Sequence, residues 1–198
     1  LFLGGLSGYD DKTLCKIAIN KWIKRFWLFL LVFVIGWMYR DWLFKREVKQ
    51  QLTSYLFKND KKSALFLKNN FPDYRMCVEL VLQYSDALYL KGEYADAIRP
   101  LKQVMALSPS SQVACDLGDC YQRIGNYVEA ESYFSLASRM VPGLITPKYL
   151  LFLMYLDIRQ DQKAQKLARE IIAMPLKQVS ERTENIKIEV SAYLKSLE

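Results

Sequence analysis

The chain has 198 residues, of which 52% are hydrophobic and 14% aromatic, with 8 Gly, 6 Pro and no His. This composition can fill a packed core, and so few Gly and Pro residues do not supply the turns of an all-β fold. The absence of histidine excludes Ser-His-Asp triads, Cys-His dyads and the usual zinc and iron sites. We therefore predict an all-α chain without catalytic residues, metal ions or cofactors.

The formal net charge of +7 is unevenly distributed along the chain. Residues 1–70 hold 13 Lys and Arg against 5 Asp and Glu, a net of +8, whereas residues 71–198 hold 15 against 16, a net of −1. A basic chain raises the option of nucleic-acid binding, but here the excess surrounds one hydrophobic segment. That distribution favours a membrane surface, and we predict no contact with nucleic acid.

The beginning of the chain predicts a membrane anchor. Because the sequence starts at Leu1 rather than Met, we expect residues 1–21 to belong to a longer chain. The fourteen residues from Phe26 to Tyr39 carry no charge. Aromatic and basic residues that prefer the membrane interface flank them, namely Trp22, Lys24, Arg25, Arg40 and Trp42. These flanks extend the predicted transmembrane helix to residues 22–44, close to the roughly twenty residues that a span needs.

Two alternatives compete with the anchor. A buried core helix that is apolar on every side needs neighbours on every side, which a short domain does not offer. A secretory signal peptide should be followed by a small-residue cleavage site, and none follows here.

Within about fifteen residues of the two ends, five basic residues precede the segment and four follow it. Counts this similar do not decide on which side the rest of the chain lies.

A repeated pattern follows the anchor. Residues 111–142 read SQVACDLGDCYQRIGNYVEAESYFSLASRMVP. The window matches the tetratricopeptide repeat (TPR) pattern except at its opening Trp, which is Ala114 here, and the matching residues are Leu117, Gly118, Tyr121, Gly125, Tyr127, Ala130, Phe134, Ala137 and Pro142. Positions 33 residues earlier hold Ser85, Leu88, Gly92, Tyr94, Ala97, Leu101, Val104 and Pro109. Positions 34 residues later hold Leu151, Tyr155, Ala164 and Ile171, with Arg159 in place of the glycine.

The resemblance to TPR proteins implies an all-α, TPR-like α-solenoid of antiparallel helix hairpins. We place a degenerate hairpin at residues 45–76, repeats at 77–110 and 111–144, and a degenerate third repeat at 145–178. Residues 179–198 should form a capping helix with Ser180 as its N-cap, because a solenoid needs a cover for its last apolar face.

Single residues of the repeat have specific structural roles. Gly118 should allow the two helices of a hairpin to pack closely, and Gly125 should end the first helix at a positive φ. Phe134 is expected to face the following repeat, and Pro100 to interrupt the hydrogen bonding of the helix that contains it. Arg159, in place of glycine, should strain the turn of the third repeat.

The first helices of stacked hairpins line a concave groove, which predicts a partner-binding site. Tyr89, Tyr149, Leu153 and Leu156 are the expected apolar anchors for a protein or peptide segment. The remaining groove residues are Asp86, Gln112, Asp119 and Gln122. The alternative is that these side chains only pack within the solenoid, since Tyr and Leu are ordinary core residues. We expect Ala at Tyr89 and Tyr149 to abolish partner binding without lowering the melting temperature.

The remaining Asp and Cys residues give no indication of catalysis or of a reactive thiol. Asp116 and Asp119 should lie on a solvated helix face rather than act as an acid–base pair. The four cysteines, Cys15, Cys77, Cys115 and Cys120, form no CxxC pair, and we expect buried, inert side chains. A further groove position is predicted for Cys115.

A narrower resemblance begins in the third repeat. The run PKYLLFLMYLDIRQDQKAQKLAREIIAMPLKQVS, from Pro147 to Ser180, is followed by IKIEVSAYL. These residues resemble the C-terminal tail of Bacteroidetes O-antigen ligase or polymerase-type membrane proteins, in which a last membrane helix precedes TPR repeats. The resemblance implies a bacterial inner-membrane location and a role in cell-envelope polysaccharide assembly. It transfers no catalytic residue, because the family's catalytic region lies upstream of these repeats.

Three functions are compatible with these features. The first is a membrane-anchored protein–protein interaction module associated with O-antigen assembly. The second is the C-terminal part of a polytopic O-antigen ligase or polymerase. The third is a free-standing TPR scaffold of a secretion or assembly system. The reading frame upstream of Leu1 would distinguish the first two, because further membrane spans favour the ligase.

Overall fold

The computed structural model describes residues 11–175 and 180–197, with side chains from residue 22 onward. The chain divides into two compact units, the first ending at Val48 and the second beginning at Lys49. The first helix, α1 (Asp11–Lys58), runs without interruption through the predicted boundary between residues 44 and 45. Residues 1–10 of the predicted N-terminal segment lie outside the described residues.

The apolar part of α1 is exposed. Every large hydrophobic side chain from Trp22 to Leu43 is accessible to solvent, including Phe29 at 72%. Within the described residues, this is the one helix that is long and apolar enough to cross a membrane, with a mean hydropathy of 1.5 over its best 18-residue window. None of that window is buried.

The second unit consists of helices, and the described residues contain no strand. After the last part of α1 come α2 (Lys61–Asn69), α3 (Phe71–Tyr74), α4 (Val78–Leu90), α5 (Tyr94–Leu107), α6 (Ser111–Arg123), α7 (Tyr127–Met140), α8 (Ile145–Asp157), α9 (Asp161–Ala173) and α10 (Glu181–Lys195). The prediction of an all-α fold is confirmed. The helices pair as α4 with α5, α6 with α7 and α8 with α9, and consecutive pairs also pack on each other.

Each predicted repeat window contains one helix pair, whereas the window at residues 45–76 is less regular. There the last part of α1 is followed by α2 and the single turn of α3. Asn59 makes the turn after α1 with φ 51°, and Asp60 caps α2 by accepting a hydrogen bond from the Lys62 amide. Ser63 of α2 donates a 2.8 Å hydrogen bond to Gln51 of α1.

The first helices of the three hairpins end in the same way. Gly92 and Gly125 have φ values of 77° and 78°, and Arg159 has φ 55°. The amide three residues beyond the end of each helix donates to a carbonyl five residues earlier, as in Asn126 N–H to Tyr121 O at 2.9 Å and Gln160 N–H to Tyr155 O at 2.8 Å. This is the Schellman motif, in which a left-handed residue satisfies the last carbonyls of a helix. Arg159 thus adopts the left-handed conformation of the glycines, in which a Cβ atom lies unfavourably close to the following carbonyl oxygen.

Small and large residues alternate at the contact between the helices of a hairpin. Ala97, Ala130 and Ala164, at equivalent positions of the three second helices, are completely buried. The ring of Phe134 lies against Gly118 of its own hairpin. The helix containing Pro100 continues to Leu107.

The last helix begins and packs as the sequence predicts. Ser180 Oγ accepts a hydrogen bond from the Thr183 amide at 3.3 Å, and Thr183 Oγ1 accepts one from the Ser180 amide at 3.0 Å. This reciprocal capping box confirms Ser180 as the N-cap. Ile186 and Val190 are buried where α10 packs against α8 and α9.

Candidate functional site

Two adjoining cavities lie between the first helices of the three hairpins, and Asp119 lines both. The first cavity has a volume of about 220 Å³ and lies between α4, α5 and α6. Its lining residues are Ser85, Asp86, Tyr89, Leu101, Asp116 and Asp119. The second cavity has a volume of about 770 Å³ and lies between α6, α7 and α8. Its lining residues are Asp119, Gln122, Arg123, Tyr127, Leu150, Leu153, Leu156 and Asp157.

The structure brings together most of the residues predicted to line the groove. Asp86, Tyr89 and Asp119 line the first cavity, and Asp119, Gln122, Leu153 and Leu156 line the second. Two predicted residues line neither cavity, and both have partners within the chain. Gln112 donates a 2.8 Å hydrogen bond to Asp116, and the Tyr149 hydroxyl donates a 2.6 Å hydrogen bond to Glu189 of α10.

The first cavity is acidic. Asp116 is half-buried, and desolvation raises the pKa of its carboxyl group to about 6, although the hydrogen bond from Gln112 opposes this and the charges of Asp86 and Asp119 add to it. Desolvation also raises the pKa of the Asp86 carboxyl group, which lines the same cavity. The expectation that Asp116 and Asp119 form a solvated face was therefore wrong, since both side chains are half-buried between helices.

Asp119 connects the first two hairpins. It accepts a hydrogen bond from the hydroxyl of Tyr89 on α4 and pairs with the Arg123 guanidinium at 3.6 Å on its own helix. The ring of Tyr89 packs edge-on against Tyr94 at 5.1 Å, and Arg123 lies over the Tyr94 ring at 5.8 Å. Burial, followed by the interaction with Asp119, raises the pKa of Tyr89 to about 12, so its hydroxyl remains a donor at neutral pH. Tyr89 thus acts within the solenoid as well as lining the groove.

The second cavity is mainly apolar on one side. Leu150, Leu153 and Leu156 of α8 face Gln122 and Arg123 of α6 across it. Gln122 donates a 3.3 Å hydrogen bond to Asp157 at its edge. The three leucines are only partly buried, so their side chains remain available to an apolar ligand group.

Sequence reasoning missed several residues of these cavities. Asp116 was assigned to solvent, and Ser85 and Leu101 were assigned only to the repeat pattern. Arg123 follows Asp119 by four residues, a helical spacing that could have indicated their pairing. Tyr127, Leu150 and Asp157 gave no comparable signal, because their positions depend on how one hairpin packs against the next.

The described cysteine side chains line neither cavity. Cys115 is buried with Ala114 and Ala137, which corrects its predicted groove position. Cys120 is also buried, and desolvation raises the pKa of both thiols to about 12. Such thiols are unreactive at neutral pH. Cys77 is partly exposed, and the side chain of Cys15 lies outside the described residues.

The site suits recognition of organic groups. Among residues 22–175 and 180–197, no three His, Cys, Asp or Glu side chains lie close enough together to hold a metal ion. The carboxylates of the first cavity can accept hydrogen bonds from a cationic group, and the leucines of the second can cover an apolar one. The two cavities therefore offer different chemistry side by side.

Comparisons with known proteins identify the fold. No protein-family model matches the chain, and no curated protein matches it. Among solved structures, PcrH in complex with the chaperone binding region of PopB matches with a TM-score of 0.52 at 18% identity, over 59% of this chain and 93% of that one. The CopN–Scc3 complex matches with a TM-score of 0.52 at 16% identity, over 71% and 74%. The MamA protein matches with a TM-score of 0.53 at 19% identity, over 76% and 87%. These likenesses confirm the TPR-like fold.

Proposed function

We propose that this chain is a protein-interaction module whose groove holds a segment of a partner protein. The observation that carries the proposal is the pair of adjoining cavities between α4, α6 and α8, which meet at Asp119. Together they form a concave site with apolar and polar parts, the usual character of a ligand site. The PcrH structure, which contains a bound region of PopB, supports a role for such a fold in binding protein segments. The proposed function includes no catalytic step.

We further propose that the apolar part of α1 anchors this module in a membrane. The support is the continuous exposure of large apolar side chains from Trp22 to Leu43, whereas a soluble core helix of this composition would be buried. Trp22, Trp37 and Trp42 lie near the two ends of this segment, where aromatic rings prefer the membrane interface.

The role in O-antigen assembly remains a prediction from the residues Pro147–Ser180. No family or curated protein supports it, and the structural neighbours share only the fold. The reading frame upstream of Leu1 distinguishes a ligase from an interaction module or a free-standing scaffold, because further membrane spans favour the ligase. The groove proposal is the same in each case.

Site-specific photo-crosslinking in the producing cell tests the groove. We would place benzoylphenylalanine at Gln122 or Leu153 in the second cavity, and at Val128 as the control. Val128 lies on α7, is 80% exposed and lines neither cavity. We expect a discrete crosslinked product from the two groove positions and none from Val128. Equal crosslinking at all three positions, or at Val128 alone, would overturn the groove as the binding site.

Membrane fractionation tests the anchor independently. The full chain should remain in the membrane fraction after extraction with alkaline carbonate. Replacing Leu30 and Val34 with Asp should release it, because charges in the hydrocarbon core are costly. A matched change of two exposed residues of the second unit, Glu129→Gln with Glu184→Gln, should leave the fractionation unchanged. Release of the unmodified chain by carbonate would exclude a membrane-spanning helix.

A further inference from the structure

We infer that the partner segment places a Lys or Arg side chain in the first cavity and a large apolar side chain in the second. This inference rests on the proposed function, because it names the kind of segment that the groove holds. It follows from the charge of the first cavity, from the shape of its floor and from the distance between the two cavities.

The first cavity presents uncompensated negative charge. Asp86 has no hydrogen bond or ion pair among the described residues, and Asp116 receives a hydrogen bond from the neutral amide of Gln112. Asp119 is partly balanced by Arg123, which lines the second cavity rather than the first. No Lys or Arg is among the described residues that line the first cavity. The half-buried carboxylate of Asp116 lacks a cation, which is unfavourable, and a cationic ligand group would relieve that cost.

The floor of the cavity suits a long basic side chain. Ser85 and Leu101 line the cavity and are almost completely buried, with exposures of 1% and 2%. The ring of Tyr89 forms one wall, held by Tyr94 and Asp119. A Lys or Arg stem can lie along the partly exposed Tyr89 ring while its charged end reaches the carboxylates. A metal ion would use none of this apolar surface.

The second cavity, which begins where the first one ends, is the expected site of the large apolar side chain of the partner segment. Asp119 lines both cavities, and Leu150, Leu153 and Leu156 lie beyond it on α8. The two cavities lie on the α4 side and the α8 side of α6, and a helix with its side chains is about 10 Å across, so the cavity centres are separated by roughly that distance. An extended chain covers that distance in about three residues. The expected ligand is therefore an extended segment with its basic and large apolar residues about three positions apart.

Selection from a random peptide library tests this inference even while the partner is unidentified. Phage displaying random twelve-residue peptides would be selected on the detergent-solubilised full chain. The same selection would be made on two double variants. Asp86→Asn/Asp116→Asn lacks two charges of the first cavity, and the control Glu129→Gln/Glu184→Gln lacks two exposed charges elsewhere. Circular dichroism establishes that all three proteins are folded. Selected peptides are then synthesised with a fluorophore, and their dissociation constants are measured by anisotropy.

We expect peptides selected on the unmodified chain to be enriched in Lys or Arg two to four positions from Leu, Ile, Phe or Met. The cavity variant should bind them more weakly by about tenfold or more, because a charge-assisted hydrogen bond is lost, and the control variant should bind them as the unmodified chain does. This inference would be overturned if the selected peptides were not enriched in Lys or Arg, or if they bound the cavity variant with unchanged affinity. The proposal that the groove binds peptides would still stand. Peptides that still bind after Leu153→Arg would instead contradict the groove itself.

Discussion

The ring of Phe134 lies so close to Gly118 that no side chain fits between them. A Cβ atom at Gly118 would be 2.6 Å from Cε1 and 2.7 Å from Cδ1 of Phe134. Phe134 is completely buried, so its ring cannot move aside without disturbing the core. This contact sets how closely α6 and α7 approach each other.

Gly118→Ala should therefore destabilise the second unit even though Ala favours a helix. Overpacking usually costs about 1–3 kcal/mol and the gain in helix propensity is roughly 1 kcal/mol, so we expect a net fall of up to about 2 kcal/mol in the free energy of unfolding. Denaturant unfolding followed by circular dichroism measures the change. Adding Phe134→Leu should recover part of the loss, because the double variant has space for the methyl group. Additive effects of the two substitutions would show that the contact is not responsible.

Arg159→Gly should stabilise the chain. Arg159 occupies the left-handed position that Gly92 and Gly125 occupy in the other hairpins, and its side chain is exposed. Relief of the backbone clash should raise the free energy of unfolding by about 1 kcal/mol. The reverse change, Gly125→Ala, should lower it by about the same amount, because no atom lies within 4 Å of the added Cβ and only the backbone is strained. A loss of stability in Arg159→Gly would contradict this account of the turn.

Asp116 should make stability depend on pH. Its pKa is raised in the folded state to about 6, above the value near 4 of an unfolded chain, so the folded protein holds the proton more tightly. This contribution is destabilising above pH 6 and disappears as the pH falls below about 4. Asp116→Asn, which can still accept the hydrogen bond from Gln112, should raise the free energy of unfolding at pH 8 by about 1–2 kcal/mol.

The pH dependence of Asp116→Asn supplies its own control. The gain measured at pH 8 should shrink towards zero near pH 4, and Glu129→Gln on an exposed helix face should show neither effect. Thermal unfolding at several pH values measures both variants. A constant gain across this range would mean that Asp116 is not protonated preferentially in the folded state.

The roles of Tyr89 can be separated by its substitutions. Tyr89→Phe removes the hydroxyl that donates to Asp119 and should cost about 1 kcal/mol. Tyr89→Ala also removes the ring contact with Tyr94 and should cost about 2–3 kcal/mol in total. The structure thus changes the expectation that Ala at this position leaves the melting temperature unaffected. Equal melting temperatures for the Phe and Ala variants would show that the ring contributes nothing to the solenoid.

Local rules explain why much of the fold could be predicted. Helical periodicity, the positive φ available to Gly92 and Gly125, and the capping side chain of Ser180 depend on residues close together in the sequence. The recurrence of the small residues Ala97 and Ala130 also predicted that the helices pair as hairpins, because two helices can approach closely only at such positions.

The residues that the sequence misassigned depend on contacts between hairpins. On its own helix Asp116 resembles a surface carboxylate, yet it is half-buried and lines a cavity between α4, α5 and α6. The hydrogen bond from Tyr89 to Asp119 joins residues 30 positions apart. The third hairpin also depends on such packing. At the positions equivalent to Gly118 and Phe134 it holds Phe152 and Ala168, so the large buried residue is on the first helix and the small one on the second. Sequence alone determined where helices begin, turn and repeat, since backbone geometry decides this locally. Tertiary packing decided which polar groups lose water, because desolvation depends on neighbours that only the folded chain brings together.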